Sequence, residues 1–288
     1  MLAGVLWGIS GNCGQFLFQY KNATPDWLVT VRLTGSGILI LFGMAIRYKE
    51  HVLDIWKHPR SRRDILIFGT IGMMLSQYSY FATVQYSNAG IATILQYTGP
   101  AMILAYTCIR MHCPPKPYEL MALFCCMVGT FILATHGNIH DLVLPTKALL
   151  WGIISAITLV VYTLQPAWLL KKYSTLLTLG WGMLIGGIIM LVFKRPWKVS
   201  LILDEQTFFA TAFVLFLGTI SGFYCYLTGV KRIGNIHASM IACIEPVIAT
   251  IVTTVWLKTK FQMTDLLGFI FVMSSVFLIS LNQKETQS

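Results

Sequence analysis

Apolar stretches of about 20 residues follow one another along most of this chain of 288 residues. A helix of that length spans the hydrocarbon core of a bilayer, because each residue adds about 1.5 Å and the core is about 30 Å thick. Only 11% of the residues are charged, whereas a soluble domain carries about 25%. The sequence therefore predicts an all-α integral membrane protein.

The apolar runs number about ten, and short segments rich in Pro, Asn or charge separate them. Since a bilayer offers no water to the backbone, each run must satisfy its own hydrogen bonds and is predicted to be a helix. The runs cover residues 2–20, 27–46, 64–84, 89–109, 117–136, 147–168, 174–193, 207–230, 235–257 and 263–281.

The two halves of the chain resemble each other. An offset of 146 residues pairs Gly72 with Gly218 and Pro100 with Pro246 without a gap. A constant offset across three predicted helices indicates an internal repeat.

The repeat divides the chain into a first unit (1–136), a second unit (147–281) and a short tail (282–288). Each unit holds five predicted helices, so the second enters the membrane from the side opposite to the first. Inverted repeats of this kind are typical of secondary transporters, because the two units can exchange conformations and open the molecule to alternate sides.

Basic residues concentrate in alternate separators, such as 47–63, 171–172 and 231–232. This pattern predicts both termini on the cytoplasmic side of a cell membrane, although the 194–198 segment departs from it. The net charge of +10 is thus explained by orientation in the membrane, and no nucleic-acid partner is expected.

Amide and tyrosine side chains recur at helical spacing inside several runs. Polar groups at membrane depth face the bundle interior or a wet cavity. For any single residue the alternative is a hydrogen bond between helices, worth about 0.6 kcal/mol. Because several helices carry such groups, we predict a substrate cavity. Its candidate residues are Asn12, Gln15, Gln19, Gln77, Tyr80, Gln96, Tyr97, Tyr162, Tyr224 and Tyr226.

Two charged residues lie inside predicted spans. Glu245 is expected near the midplane, where it would carry a coupling proton or bind a cationic substrate group. The alternative is a neutral carboxylic acid bonded to a nearby carbonyl. Arg32 lies near the outer end of its run, where it would snorkel to the interface or bind a substrate carboxylate.

Pro100 and Pro246 occupy equivalent positions in the two units. Each removes a helix hydrogen bond and leaves a carbonyl, that of Gln96 or Ala242, without its usual donor. Paired helix breaks flank the binding site in many transporters. A static kink that improves packing is the alternative.

Motifs for other chemistry are absent from the sequence. The chain contains no P-loop, GxGxxG, HExxH or GxSxG, and its seven Cys residues form no CxxC. We expect no catalytic residue, metal or cofactor. Active transport would then use an ion gradient, with a proton as the candidate ion, a solute gradient or a partner subunit.

Four segments make the chain resemble the EamA family of the drug/metabolite transporter superfamily. They are Leu-Trp-Gly-Ile-Ser at Leu6–Ser10, Val-Arg-Leu at Val31–Leu33, Gly99–Pro100 and the Glu-Pro-Val of Glu245–Val247. Their order and spacing cover essentially the whole chain.

The resemblance implies ten helices in two halves and alternating-access transport of a small metabolite, often export of an amino acid or related compound. The family often carries a Gly-Glu pair at two places where this chain has Arg110–His112 and Lys258–Lys260.

We therefore expect a transporter of an amino acid, amine or related solute rather than an enzyme. Basic residues are missing from the deep positions, which argues against phosphorylated or multiply anionic substrates. Two alternatives are a non-transporting assembly or sensor subunit and a lipid-modifying membrane enzyme, although the carboxylate pair that such an enzyme needs is not evident. Membrane lipid is an expected partner, and the sequence leaves the oligomeric state open.

Overall fold

The architecture comes from a computed structural model that describes residues 1–48, 52–99, 102, 117–135, 144–242 and 244–282. These residues form helices and connections, and this part of the chain contains no β-strand. The helices are α1 (Leu2–Tyr20), α2 (Pro25–Gly43), α3 (Pro59–Tyr86), α4 (Ala89–Gln96), α5 (Pro117–Thr135), α6 (Thr146–Lys172), α7 (Thr175–Lys194), α8 (Glu205–Arg232), α9 (Ile244–Val255) and α10 (Met263–Asn282).

Five helices are long and apolar enough to cross a bilayer: α2 with its π-helical extension (Pro25–Ile46), α3, α6, α7 and α8. Large apolar side chains also cover the outside of the bundle, as at Phe193, which is 77% exposed, and Met127, which is 73% exposed. A water-soluble monomer rarely presents so much apolar surface. The prediction of an all-α, multi-pass membrane protein is confirmed, whereas the number of spans stays a prediction.

Several helices begin at a side-chain cap. The residues before α2, α4, α7 and α8 are Thr24, Asn88, Ser174 and Asp204, and each side-chain oxygen accepts a hydrogen bond from the backbone amide three residues later. The cap satisfies one of the amides that a helix start leaves without a partner. Polar separators in the sequence thus set where these helices begin.

The chain turns back after α8. Helical geometry continues through Gly222–Ala242, yet a Cβ built on Gly229 would lie 3.9 Å from the Cβ of Ala238. In a straight helix nine residues span about 13.5 Å. The chain therefore folds back between these two residues, which is where the hydropathy pattern separates its eighth and ninth runs.

Contacts between helices of the two halves have counterparts in which the equivalent helices change places. Helix α1 packs against α8 and α9, and α6 packs in the same way against α3 and α4. The equivalent helices α2 and α7, α4 and α9, and α5 and α10 pack against each other. The centre of the bundle is therefore built from both halves.

Close approach of α2 and α7 depends on glycine. A Cβ built on Gly37 would lie 2.6 Å from the backbone nitrogen of Leu184, and one on Gly187 would lie 2.6 Å from that of Thr34. Small residues allow membrane helices to approach at this distance and gain van der Waals contact. These two glycines set the separation between the halves along this contact.

An ion pair joins the end of α1 to the start of α8. The Lys21 ammonium pairs with the Asp204 carboxylate, and the Ile202 amide donates to the Lys21 carbonyl at 3.1 Å. The hydrogen bond from Lys21, with those from Thr207, lowers the pKa of Asp204 from 3.8 to about 2. The carboxylate therefore remains charged, and the pair intact, in mildly acidic solution.

We expect Asp204→Asn to remove the ion pair while the amide keeps the cap on α8. Because the folded-state pKa is depressed, the pair stabilises the protein above the ordinary pKa of an Asp and loses its effect as the pH falls toward 2. The thermal unfolding midpoint of the detergent-solubilised protein should therefore drop at neutral pH and converge with that of the natural chain in strong acid. An equal difference at both pH values would contradict the assignment.

Candidate functional site

A cavity of about 870 Å³, including its open mouth, lies where helices of both halves meet. Helices α1, α2, α3, α6 and α8, the C-terminal end of α4 and the start of α9 contribute to its wall. The predicted residues on this wall are Gln77, Tyr80, Gln96, Tyr97, Tyr162, Tyr226, Arg32 and Glu245.

The polar stripe predicted on α1 lies elsewhere. Asn12 is fully buried against α9, where its amide donates to the Ala249 carbonyl at 3.0 Å and accepts from Thr253 at 2.6 Å. Gln15 accepts a hydrogen bond from the amide of Ala89 at 2.8 Å. Both side chains hold α1 against neighbouring helices, so the alternative of helix-to-helix hydrogen bonding describes them.

Two other candidates face away from the cavity. Gln19 is exposed at the end of α1, and Tyr224 is 41% exposed on the outside of α8. Tyr226, two residues later, is 7% exposed and lines the cavity. Positions two apart on a helix point about 200° apart, so only one of this pair can face inward.

Arg32 does not snorkel to the interface. Its side chain is buried at 3% exposure, and its Nε donates to Thr219 of α8 at 2.9 Å. The guanidinium carbon lies 4.9 Å from the ring centre of Phe81 and 5.9 Å from that of Phe223. The expectation that deep basic groups are missing is corrected, because these two rings and a hydroxyl from the other half hold the guanidinium inside the bundle.

Glu245 is buried on the opposite half of the cavity wall. The Tyr97 hydroxyl lies 2.7 Å from the carbonyl of Ala242 and 3.2 Å from Oε2 of Glu245. No Lys, Arg or His nitrogen among the described residues comes within 4.0 Å of this carboxyl group, Arg32 included. The cavity thus contains the Glu245 carboxyl group and the Arg32 guanidinium, and the two do not form an ion pair.

Four aromatic rings form one cluster beside these groups. Trp7 lies 5.0 Å from Phe223 and 5.1 Å from Tyr226 between ring centres, and Tyr162 lies 5.5 Å and 6.0 Å from the same two rings. Such separations are typical of stabilising aromatic pairs. The cluster gives the cavity a rigid apolar wall drawn from both halves.

Three polar atoms of the cavity-lining residues have no hydrogen-bond partner in the described part of the chain. They are Trp7 Nε1, Ser10 Oγ and the Tyr162 hydroxyl oxygen. Buried polar groups normally have a partner in the protein or in ordered water, and these three lack a protein partner among the described residues. Pro246 is buried on α9, whereas Pro100 lies outside the described residues.

Sequence reasoning missed Trp7, Ser10, Phe81 and Phe223, which line the cavity. Trp7 belongs to the Leu-Trp-Gly segment at Leu6–Gly8, and the same three residues recur in the second half at Leu150–Gly152. That recurrence was the available signal for Trp7. No sequence signal identified Phe81 and Phe223, because an apolar ring that faces the cavity and one that faces lipid look the same in an apolar run.

His, Cys, Asp and Glu form no group of three suited to a metal ion within the described ranges.

A family model described as "EamA-like transporter family" matches residues 1–135 and again 146–281. A Salmonella typhimurium protein named "Uncharacterized inner membrane transporter YicL" is 33% identical over 284 residues, which are 99% of this chain and 94% of that protein. A Bacillus subtilis protein named "Uncharacterized transporter YyaM" is 22% identical and covers 97% of this chain and 92% of its own.

A solved crystal structure shares the fold, with a TM-score of 0.64 and 15% identity over 97% of this chain and 95% of the other. The family model covers both halves, and the cavity lies between them. The chain therefore belongs to the EamA-like transporter family and is a multi-pass membrane transporter of a small-molecule solute.

Proposed function

We propose that this transporter exports an amino acid, or an amine or related compound, by alternating access as a secondary transporter. The observation that carries the proposal is the presence of Arg32 and Glu245 on one cavity wall without an ion pair between them. A substrate with one carboxylate and one ammonium group would complement both residues.

Arg32 is suited to the carboxylate. In the described residues its hydrogen bonding is limited to the Nε contact with Thr219, so its two terminal NH₂ groups have no protein partner. A buried guanidinium is stable only when it is paired, and its planar fork matches a carboxylate with two parallel hydrogen bonds. Phe81 and Phe223 lie within cation–π distance of the guanidinium carbon and stabilise its charge.

Glu245 is suited to the ammonium group. Tyr80 lines the same cavity as Glu245 and Arg32, so these three groups border one space. The aromatic cluster would contact the rest of the substrate. Since a zwitterion neutralises both protein charges at once, it can be desolvated at lower cost than a singly charged solute.

We further propose that Glu245 exchanges the substrate for a proton. A buried carboxyl group without a cation favours the protonated form. Binding of a substrate ammonium would release that proton, and substrate release would take one up again. Transport of the substrate would thereby be coupled to proton movement in the other direction.

Alternating access is supported by the helix contacts that recur when the halves are exchanged. The proposed topology places the halves in opposite orientations with both termini cytoplasmic, as the loop charges favour. Export as the direction rests on the resemblance of the sequence motifs to the family.

The test uses purified full-length protein in lipid vesicles and a panel of labelled amino acids, amines and sugars. We expect flux of an amino acid or amine, and we expect Glu245→Gln to remove its dependence on a pH gradient. Tyr162→Phe, which alters the cavity wall, should weaken apparent affinity about three- to tenfold if the hydroxyl contacts the substrate. Tyr224→Phe is the matched control, since this tyrosine lies outside the cavity.

Three outcomes would count against the proposal. Flux of sugars alone would refute the substrate class, and pH-dependent flux through Glu245→Gln would refute the coupling role. Absence of flux for every compound, together with a stable co-purifying protein, would favour an assembly or sensor subunit instead.

A further inference from the structure

Pro246 leaves a nearby backbone carbonyl without its usual hydrogen-bond donor. Its ring nitrogen carries no hydrogen, so the carbonyl of Ala242, four residues earlier, lacks the amide that a continuous helix would supply. The Tyr97 hydroxyl supplies a donor instead, at 2.7 Å. Tyr97 follows α4 in the first half of the chain, whereas Ala242 and Pro246 belong to the second. The helix break in one half is therefore satisfied by a side chain from the other.

The same hydroxyl also reaches Glu245, at 3.2 Å from Oε2. A phenol has a single proton to donate. If Glu245 is protonated, its own O–H can donate to the Tyr97 oxygen while Tyr97 donates to Ala242, and both contacts are satisfied. If Glu245 is ionised, the carboxylate and the Ala242 carbonyl compete for one proton. The charged acceptor forms the stronger bond, so the carbonyl loses its donor.

We propose that Tyr97 is a positioning residue that links the charge state of Glu245 to the contact between the two halves at the Pro246 helix break. This inference rests on the proposed role of Glu245 as the group that exchanges a proton for a substrate cation. A neutral or substrate-paired Glu245 leaves the Tyr97 hydroxyl on Ala242 and holds the halves together there. An ionised, unpaired Glu245 draws the hydroxyl away and loosens that contact.

The groups around Glu245 are consistent with this role. Helix α1 presents Gly4 and Gly8 to the backbone of Glu245, at 3.3 Å and 3.0 Å from the positions that their Cβ atoms would occupy. The other titratable side chains on the cavity wall are Arg32 from α2, Tyr80 from α3, Tyr162 from α6 and Tyr226 from α8. In the described residues Tyr97 is the one that has a hydrogen bond to the carboxyl group.

The first test is a double-mutant cycle on thermal unfolding of the detergent-solubilised full-length protein. Tyr97→Phe removes the hydroxyl and keeps the ring, so it should lower the unfolding midpoint. Pro246→Ala restores a backbone N–H that can donate to Ala242, and in that background Tyr97→Phe should have a much smaller effect. Additive effects of the two substitutions would overturn the proposal, because these side chains would then act independently.

The second test measures a pH dependence, which a purely structural role of Tyr97 would not produce. Hydrogen–deuterium exchange is measured on peptides covering 240–248, without substrate, from mildly acidic to mildly alkaline pH and corrected for the chemical exchange rate. In the natural chain, protection should fall about three- to tenfold as Glu245 ionises, as expected for loss of one hydrogen bond. Glu245→Gln, whose amide can donate to Tyr97 at every pH, should keep the high protection, and Tyr97→Phe should show low protection throughout.

A pH-dependent profile in Tyr97→Phe equal to that of the natural chain would refute the link. That result would leave the proposed function untouched, because flux through Glu245→Gln tests it separately. If Tyr97→Phe alone does not fold, the Tyr97→Phe/Pro246→Ala double variant replaces it, because the alanine restores the backbone N–H. Amide protection in this double variant should not vary with pH. Tyr224→Phe, on the outer face of α8, is the control for loss of a tyrosine hydroxyl.

Discussion

Arg32→Gln should abolish the preference of the transporter for an amino acid over the amine that lacks its carboxylate. In the natural chain the guanidinium would form two charge-assisted hydrogen bonds with the carboxylate inside a cavity of low polarity. Each hydrogen bond to a charged group contributes about 1.5–3 kcal/mol, so we expect at least a tenfold loss of apparent affinity for the amino acid. Affinity for the amine should change little or improve, since a buried positive charge has been removed.

Competition between labelled and unlabelled solutes in reconstituted vesicles measures this preference. Arg32→Lys is the matched variant, because it retains the charge but not the planar fork, and it should recover part of the preference. Thermal unfolding of each variant separates loss of binding from loss of folding. If Arg32→Gln still distinguished the amino acid from the amine as the natural chain does, the assignment of the carboxylate to Arg32 would be wrong.

Gly37→Ala should lower the stability of the bundle substantially. The new methyl group would lie 2.6 Å from the Leu184 nitrogen and 2.8 Å from its Cα, which are backbone atoms that cannot turn aside as a side chain does. Helices α2 and α7 would have to separate along their whole contact. Overpacking of this kind costs about 1–3 kcal/mol, and we expect a lower unfolding midpoint and less monodisperse protein after solubilisation.

Gly43→Ala provides the control on the same helix. A Cβ at Gly43 meets no atom within 4 Å, so the substitution adds helix propensity without a clash. Its unfolding midpoint should equal or exceed that of the natural chain. Equal midpoints for Gly37→Ala and Gly43→Ala would show that the distance between α2 and α7 does not depend on glycine.

The proposed link at Pro246 separates what could be predicted from the sequence and what could not. The missing donor for the Ala242 carbonyl follows from proline chemistry and could be predicted. The residue that supplies the donor could not be, because Tyr97 lies 145 residues earlier in the chain. Local chemistry defines an unsatisfied group, whereas the identity of its partner depends on which helices pack together.

The polar residues of α1 show the same division. The burial of Asn12 and Gln15 was predictable, since amides avoid lipid, whereas Gln19 is exposed at the end of the helix. Asn12 and Gln15, however, bond to neighbouring helices, and the cavity face of α1 carries Trp7 and Ser10 instead. A buried amide is equally stable against a neighbouring helix and against a wet cavity, so hydrophobicity cannot distinguish these positions.

The amino-acid sequence by itself determined the apolar runs and the two-half repeat, because both follow from local composition and a constant spacing. It also placed Glu245 and Pro246 inside one predicted span, as neighbours in the chain. Only the tertiary structure decided that Arg32 stays inside the bundle, that Tyr226 faces the cavity and that Tyr224 does not. These outcomes depend on groups distant in sequence, such as Thr219 and Phe223 beside Arg32, whose approach is set by how the two halves pack.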